Sequence, residues 1–119
     1  MTPAINAAKK AKVRYVVHEY SHEPLEKSYG LEAANKLGID ENRVFKTLVV
    51  STGVKEFVVG IVPVSSMLNM KRIAKAIGAK KASMALAEDV ERVTGYVLGG
   101  VSPLGQKKKL KTIIDSSAL

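Results

Sequence analysis

Two apolar runs set the frame: Arg43-Val44-Phe45-Lys46-Thr47-Leu48-Val49-Val50 and Glu56-Phe57-Val58-Val59-Gly60-Ile61-Val62, separated by the turn residues Ser51-Thr52-Gly53. β-Branched and aromatic side chains dominate both, and the turn lies where two strands would reverse, so they predict an antiparallel pair with Pro63 ending the second strand. A sheet must then form the centre of the domain. One residue is out of keeping with its run. Lys46 shares a face with Val44, Leu48 and Val50, while Phe45, Thr47 and Val49 form the other face. It is therefore either a lysine on the water side of the strand or a cation held in a cleft, and the pattern leaves both open.

Helix signals surround this pair. Thr2-Pro3 reads as an N-cap followed by proline at the first helical position, with Ala4, Ile5, Ala8 and Ala11 at near-helical spacing. Leu31, Ala34 and Leu37 predict a helix over Tyr29–Leu37 stopped by Gly38. Asn69 caps another, with Met70, Ile73, Ala74 and Ile77 on one face, Lys71, Arg72 and Lys75 on the other, and Gly78 as terminator. Ala87–Thr94 is a fourth, with Glu88 and Asp89 in its first turn and Gly95 at its end. Further strands are expected over 13–20, where Val13, Tyr15 and Val17 alternate with their neighbours, over 80–86, over 96–98 and over 111–115. Ser21-His22-Glu23-Pro24 is read as loop.

The stretch Thr94-Gly95-Tyr96-Val97-Leu98-Gly99-Gly100-Val101-Ser102-Pro103-Leu104-Gly105-Gln106 carries the chemistry. Its four glycines and one proline describe a backbone that something approaches closely. The Gly99-Gly100 pair can gather main-chain N–H groups into a concavity suited to a carbonyl oxygen, a carboxylate or a phosphate, or it can be a plain turn. Other chemistries fall away. There is no cysteine, so disulfides and thiolate sites are excluded. His18 and His22 are four apart but not on one helix, and no metal is expected. No Gly-x-Ser-x-Gly elbow and no Walker or dinucleotide fingerprint is present. What remains is an electrostatic site: Lys46, the main chain around Gly99 and Gly100, and tyrosines as walls.

Length and charge agree with one domain over 1–119 and a polyanionic partner. The 119 residues are 46% hydrophobic, enough for a single core. Nineteen Lys and Arg against 11 Asp and Glu give a net charge of +8, which favours nucleic acid. Lys107, Lys108, Lys109 and Lys111 are the candidate phosphate clamp, or else a solvated face. No run reaches membrane-spanning length and no apolar signal core opens the chain, so a cytoplasmic protein is expected.

With Phe45-Lys46-Thr47-Leu48 on a strand, Asn69-Met70-Lys71 opening a helix, and Thr94-Gly95-Tyr96 followed by Gly99 through Lys108, the sequence resembles the YbaK family of aminoacyl-tRNA deacylases. Thr2-Pro3-Ala4 and the stretch from Glu32-Ala33-Ala34 to Leu37-Gly38 extend the likeness over nearly the whole chain. The resemblance implies an α/β (α+β) domain with a mixed, curved, barrel-like sheet flanked by short helices, related to the editing domain inserted in bacterial prolyl-tRNA synthetases. It implies clearance of mischarged tRNA, typically cysteine on the proline tRNA, in trans beside prolyl-tRNA synthetase and without a cofactor. Lys46 matches the central functional residue and Gly99 the glycine that binds the aminoacyl ester. Tyr20, Tyr29 and Thr47 match pocket-lining positions, with Gly100 and Ser102 as further substrate contacts, and Tyr29 stands where phenylalanine is frequent. The family route has the substrate thiol attack its own carbonyl. Relatives on the same scaffold clear alanine, and a noncatalytic tRNA- or synthetase-binding module is the alternative reading. Family members usually run a few tens of residues beyond the position of Leu119, so missing C-terminal strands and an edge prone to self-association are expected.

Overall fold

The structure, a computed structural model, describes residues 2–23, 29–53 and 55–119. The expected loop 21–24 lies within the described residues only as far as Glu23. Four helices and a four-stranded mixed sheet follow in the order α1 (Pro3–Ala11), α2 (Tyr29–Leu37), β1 (Phe45–Gly53), β2 (Glu56–Pro63), α3 (Met70–Ile77), β3 (Ser83–Met84), α4 (Ala87–Thr94) and β4 (Lys111–Ile114). The α+β class is as expected, and the sheet is open among the described residues. No described helix is long and apolar enough to cross a membrane.

The helix ends follow the caps written in the sequence. Thr2 Oγ1 accepts from the N–H of Ile5 at 3.2 Å and Pro3 takes the first helical position. The Asn69 side chain accepts from the N–H of Arg72 at 3.0 Å, and Gly78 ends α3 at φ +75°. Gly95 ends α4 at φ +81°. Each satisfies main-chain groups that a helix end leaves without partners.

β1 and β2 pair antiparallel from Phe45↔Pro63 to Ser51↔Phe57, with a register shift before Gly53↔Glu56. The expected start at Arg43 is corrected by two residues. Asp40 caps a 3-10 turn over Glu41–Arg43, so the chain is still coiled there. β4 lies parallel to β2, and β3 lies antiparallel to β1 only through Val50↔Met84 and Ser51↔Ser83. The strand order is β3-β1-β2-β4.

The sheet is covered on both faces. On one, Val49 packs with Val90 and Val93 of α4; on the other, Val50 and Val58 pack with Ile73 of α3. Consecutive residues of β1 thus serve opposite layers, which is why the run is apolar throughout rather than alternating. Gly60 makes the α3 contact close: a Cβ there would lie 2.8 Å from Leu68 Cδ2 and 3.1 Å from Ile73 Cδ1.

Two expected strands are absent. Residues 13–20 have no regular structure, and Val13, Val16 and Val17 are exposed. Alternating β-branched residues suit a strand, but a strand also needs an edge to pair with, and none takes this segment. Residues 96–98 are bend and turn rather than strand, because Gly95 and the hydrogen bonds around Thr94 close the chain into a loop. The strand expected over 80–86 shrinks to Ser83–Met84.

Replacing Asn69 by Ala should lower unfolding stability by about 1 kcal/mol, while Asn69→Ser, which keeps a capping oxygen, should cost much less. Urea unfolding of the two variants checks this; equal losses would contradict the capping assignment.

Candidate functional site

The open edge of β1 generates the main hollow. β3 covers β1 only at Val50 and Ser51, so residues before them have β2 on one side and no strand on the other. The N–H of Val64 donates to Val44 O at 2.8 Å and the N–H of Ala85 to Val49 O at 3.0 Å. In an antiparallel ladder successive residues turn their peptide groups to opposite sides. The peptide groups of Phe45 and Thr47 therefore face the uncovered edge. A cavity of about 370 Å³ lies along it, walled by Tyr29 and Ala33 of α2, by Tyr20, by Met84, and by Leu98 and Gly99.

Of the candidates from sequence, Lys46, Thr47, Tyr20, Tyr29 and Gly99 all border this hollow. Lys46 is half-buried and has no carboxylate partner among the described residues. It is in phase with Leu48 and Val50 rather than with Thr47 and Val49, yet residues 44–49 all line the cavity. An unpaired strand edge opens both sides of a strand to one hollow. Among the described lining residues there is no aspartate, glutamate, histidine, cysteine or serine.

Gly99 is bare for a geometric reason. Its φ is +89°, and a Cβ would lie 2.5 Å from Tyr29 Cε2, so any larger residue is strained and displaces the ring. The surrounding loop is closed on itself. Lys107 and Lys108 donate their N–H groups to the carbonyls of Thr94 and Val93 at 2.9 and 3.0 Å, completing the end of α4. Tyr96 Oη donates to Leu104 O at 2.6 Å. This compact loop holds Gly99 against the cavity.

Other expected residues lie elsewhere. Gly100 gives its N–H to Val97 O at 3.0 Å and does not line the hollow, so the main-chain concavity expected from the pair is reduced there to Gly99. Ser102 serves the loop: its Oγ accepts from the N–H of Leu104 and its carbonyl from Gln106 Nε2. Lys107, Lys108, Lys109 and Lys111 are exposed and outside the cavity. His18 is exposed, and no group of residues suited to a metal occurs among those described.

The site also depends on a residue not singled out from sequence. Glu32, 4% exposed on α2, accepts the N–H of Glu23 at 2.7 Å and lies 2.5 Å from His22 Nδ1. Lys36, one helical turn on, approaches its other oxygen at 3.6 Å and donates to Ser21 O. Burial opposes ionisation of Glu32, but the Glu23 N–H, the His22 contact and the nearby cation outweigh it and hold the carboxyl below its ordinary value. This cluster ties the strandless segment 13–23 to α2. The His22 ring in turn stacks on Tyr29 with centroids 4.8 Å apart, so the anchored chain steadies two cavity walls, Tyr20 and Tyr29. The available signal was a glutamate beside the Leu31, Ala34 and Leu37 stripe with lysine four residues on.

Comparison with known proteins bears on this geometry. The family model described as the aminoacyl-tRNA editing domain matches residues 22–119. EbsC of Enterococcus faecalis, whose name carries a provisional Cys-tRNA(Pro)/Cys-tRNA(Cys) deacylase assignment, is 37% identical over 118 residues, covering 98% of this chain and 71% of EbsC. A proline–tRNA ligase of Trichlorobacter lovleyi is 32% identical over 94 residues, 79% of this chain but 16% of the ligase. A crystal structure described as a candidate trans-editing enzyme for prolyl tRNA synthetase superposes with a TM-score of 0.70 at 27% identity, covering 81% of this chain and 60% of that one.

The Glu32 cluster has a defined pH signature. A carboxyl whose folded-state pKa lies below the ordinary 4.5 contributes stability that is complete above that value and is lost as pH falls through the lowered pKa. Urea midpoints of wild type and Glu32→Gln should therefore separate at neutral pH and converge in acid. A gap that stays constant down to about pH 3 would contradict the ionic anchor.

Proposed function

The chain belongs to the aminoacyl-tRNA editing domain family, and from that premise we propose that it clears mischarged tRNA in trans, cysteine on the proline tRNA foremost, by cleaving the aminoacyl ester in the cavity along β1. The observation that carries this is the meeting of Lys46 and Gly99 at one hollow whose described lining holds no serine, cysteine, histidine or carboxylate, so that the Thr47 hydroxyl has no general base beside it there. The ester carbonyl lies between the Lys46 ammonium and the main chain at Gly99. As charge develops on its oxygen, a cation without a competing carboxylate stabilises it more strongly than it stabilises the neutral carbonyl. Tyr20, Tyr29 and Thr47 confine the aminoacyl group.

The attacking group then comes from the substrate or from water. For a cysteinyl ester, the thiol sulfur bonds to its own carbonyl carbon, the ester C–O bond breaks, and the thiol proton ends on the departing ribose oxygen. Such a route selects by reactivity as well as by size. Size alone is a weak filter, since one methylene is worth about 1–3 kcal/mol in an apolar pocket. The kinship with part of a proline–tRNA ligase supports an action alongside prolyl-tRNA synthetase, and the basic residues Lys107, Lys108, Lys109 and Lys111 are assigned to the RNA.

Lys46→Ala should slow release of cysteine from charged proline tRNA by about 100-fold or more while leaving the circular dichroism spectrum unchanged. The same assay with alanyl and prolyl esters ranks the substrates. Wild-type turnover by the folded variant would remove Lys46 from the mechanism.

A further inference from the structure

From Phe57 to Ala87 the chain contains no aspartate or glutamate, but it contains Lys71, Arg72, Lys75, Lys80 and Lys81. The fold gathers four of these cations. α3 turns Ile73 and Ala74 towards the sheet and leaves Lys71 and Lys75 exposed on its outer side. At Gly78 the helix stops in a left-handed turn, and the N–H of Ala79 returns to Ala74 O at 2.8 Å. The chain therefore doubles back along α3, and Lys80 and Lys81 join Lys71 and Lys75 around one hollow of about 460 Å³, with Ala74 and Ala79 among its other walls.

Among the described residues no carboxylate relieves this crowding. The lining holds none, and none of the four lysines forms an ion pair among the described residues. Lys71 and Lys75, four apart on a helix, repel one another, as do the adjacent Lys80 and Lys81. Elsewhere the protein does pair charges: Arg92 meets Asp89 at 2.9 Å, and Lys36 lies near Glu23 and Glu32. A cluster of unneutralised lysines over small apolar residues suits a closely approaching, extended polyanion.

The groove is also next to the cavity in the chain. Lys81 precedes Met84 by three residues, and Met84 lines the cavity along β1. Three residues span at most about 10 Å. We propose that this groove is a phosphodiester-binding subsite, distinct from the Lys107–Lys111 face, that holds the backbone of the RNA strand whose end enters the cavity. The proposal rests on the reading of the cavity as an aminoacyl-tRNA site.

The test uses uncharged tRNA, so its outcome is independent of ester cleavage. Binding of labelled tRNA is measured over a series of salt concentrations for wild type, for a variant with Lys71→Gln, Lys75→Gln, Lys80→Gln and Lys81→Gln together, and for the corresponding four-arginine variant. The glutamine variant should lose at least about tenfold in affinity, and its slope of log K against log salt should be shallower by about three, from roughly 0.7–0.9 per phosphate contact. The arginine variant should bind like wild type. Cleavage of cysteinyl-adenosine, which has no phosphate, should be unchanged in both if the cavity reading holds. If wild type cleaves neither charged tRNA nor cysteinyl-adenosine, the cavity reading fails while the binding result still decides the groove. Unchanged tRNA affinity and slope in the glutamine variant would overturn the proposal, as would salt-insensitive binding by wild type. Loss of prolyl-tRNA synthetase binding with tRNA binding intact would reassign the groove to a protein partner.

Discussion

The pairing of β1 with β2 over eight register positions, against only two with β3, is the constraint from which the site follows. A strand paired along both sides has no spare main-chain groups and no room beside it. Left uncovered before Val50, β1 becomes one wall of a hollow, and whatever packs around that edge becomes the rest. Here α2, the closed loop after α4 and the segment ending in Tyr20 do so. An exposed edge is usually a liability; in this chain the surrounding elements convert it into a cavity of limited size.

Charge is distributed in keeping with that role. Where the protein needs a fixed shape, cations and carboxylates are paired: Glu32 with Lys36, which also donates to Ser21 O, and Asp89 with Arg92 on α4. At the two places proposed to receive a ligand, Lys46 and the outer side of α3, the cations have no carboxylate partners among the described residues. The contrast matters because an ammonium already satisfied by a carboxylate has little left to offer a developing oxyanion or a phosphate.

The helices were legible because each is bounded by local chemistry. Thr2, Asn69, Gly78 and Gly95 act within a turn of their own position, so no distant contact is needed to place them. The β1–β2 pair was legible for the same reason, through its turn. Residues 13–20 carry a strand pattern without forming one because alternation reports what a segment could pair with, not whether an edge exists for it, and the apolar run 96–98 is too short to override the turn made by Gly95 and the Thr94 hydrogen bonds. Lys46 was ambiguous for a related reason: its phase puts it with Leu48 and Val50, and only the missing neighbour strand shows why it can still border the hollow. Glu32 is only partly legible: Lys36 at i+4 is visible in the sequence, but Glu23 and His22 are nine and ten residues away, a separation at which helix periodicity carries no signal.

The central claim is that an aminoacyl ester occupies the hollow beside the open edge of β1. Titrating the ¹⁵N-labelled protein with a hydrolysis-resistant 3′-amide analogue of cysteinyl-adenosine tests it most directly by mapping which backbone amides shift. The account predicts that the largest changes fall at Phe45, Thr47, Gly99 and the Tyr29–Ala33 turn of α2. Changes centred instead on the separate hollow bordered by Met67, Arg72 and Ser116, or none at saturating analogue, would contradict it.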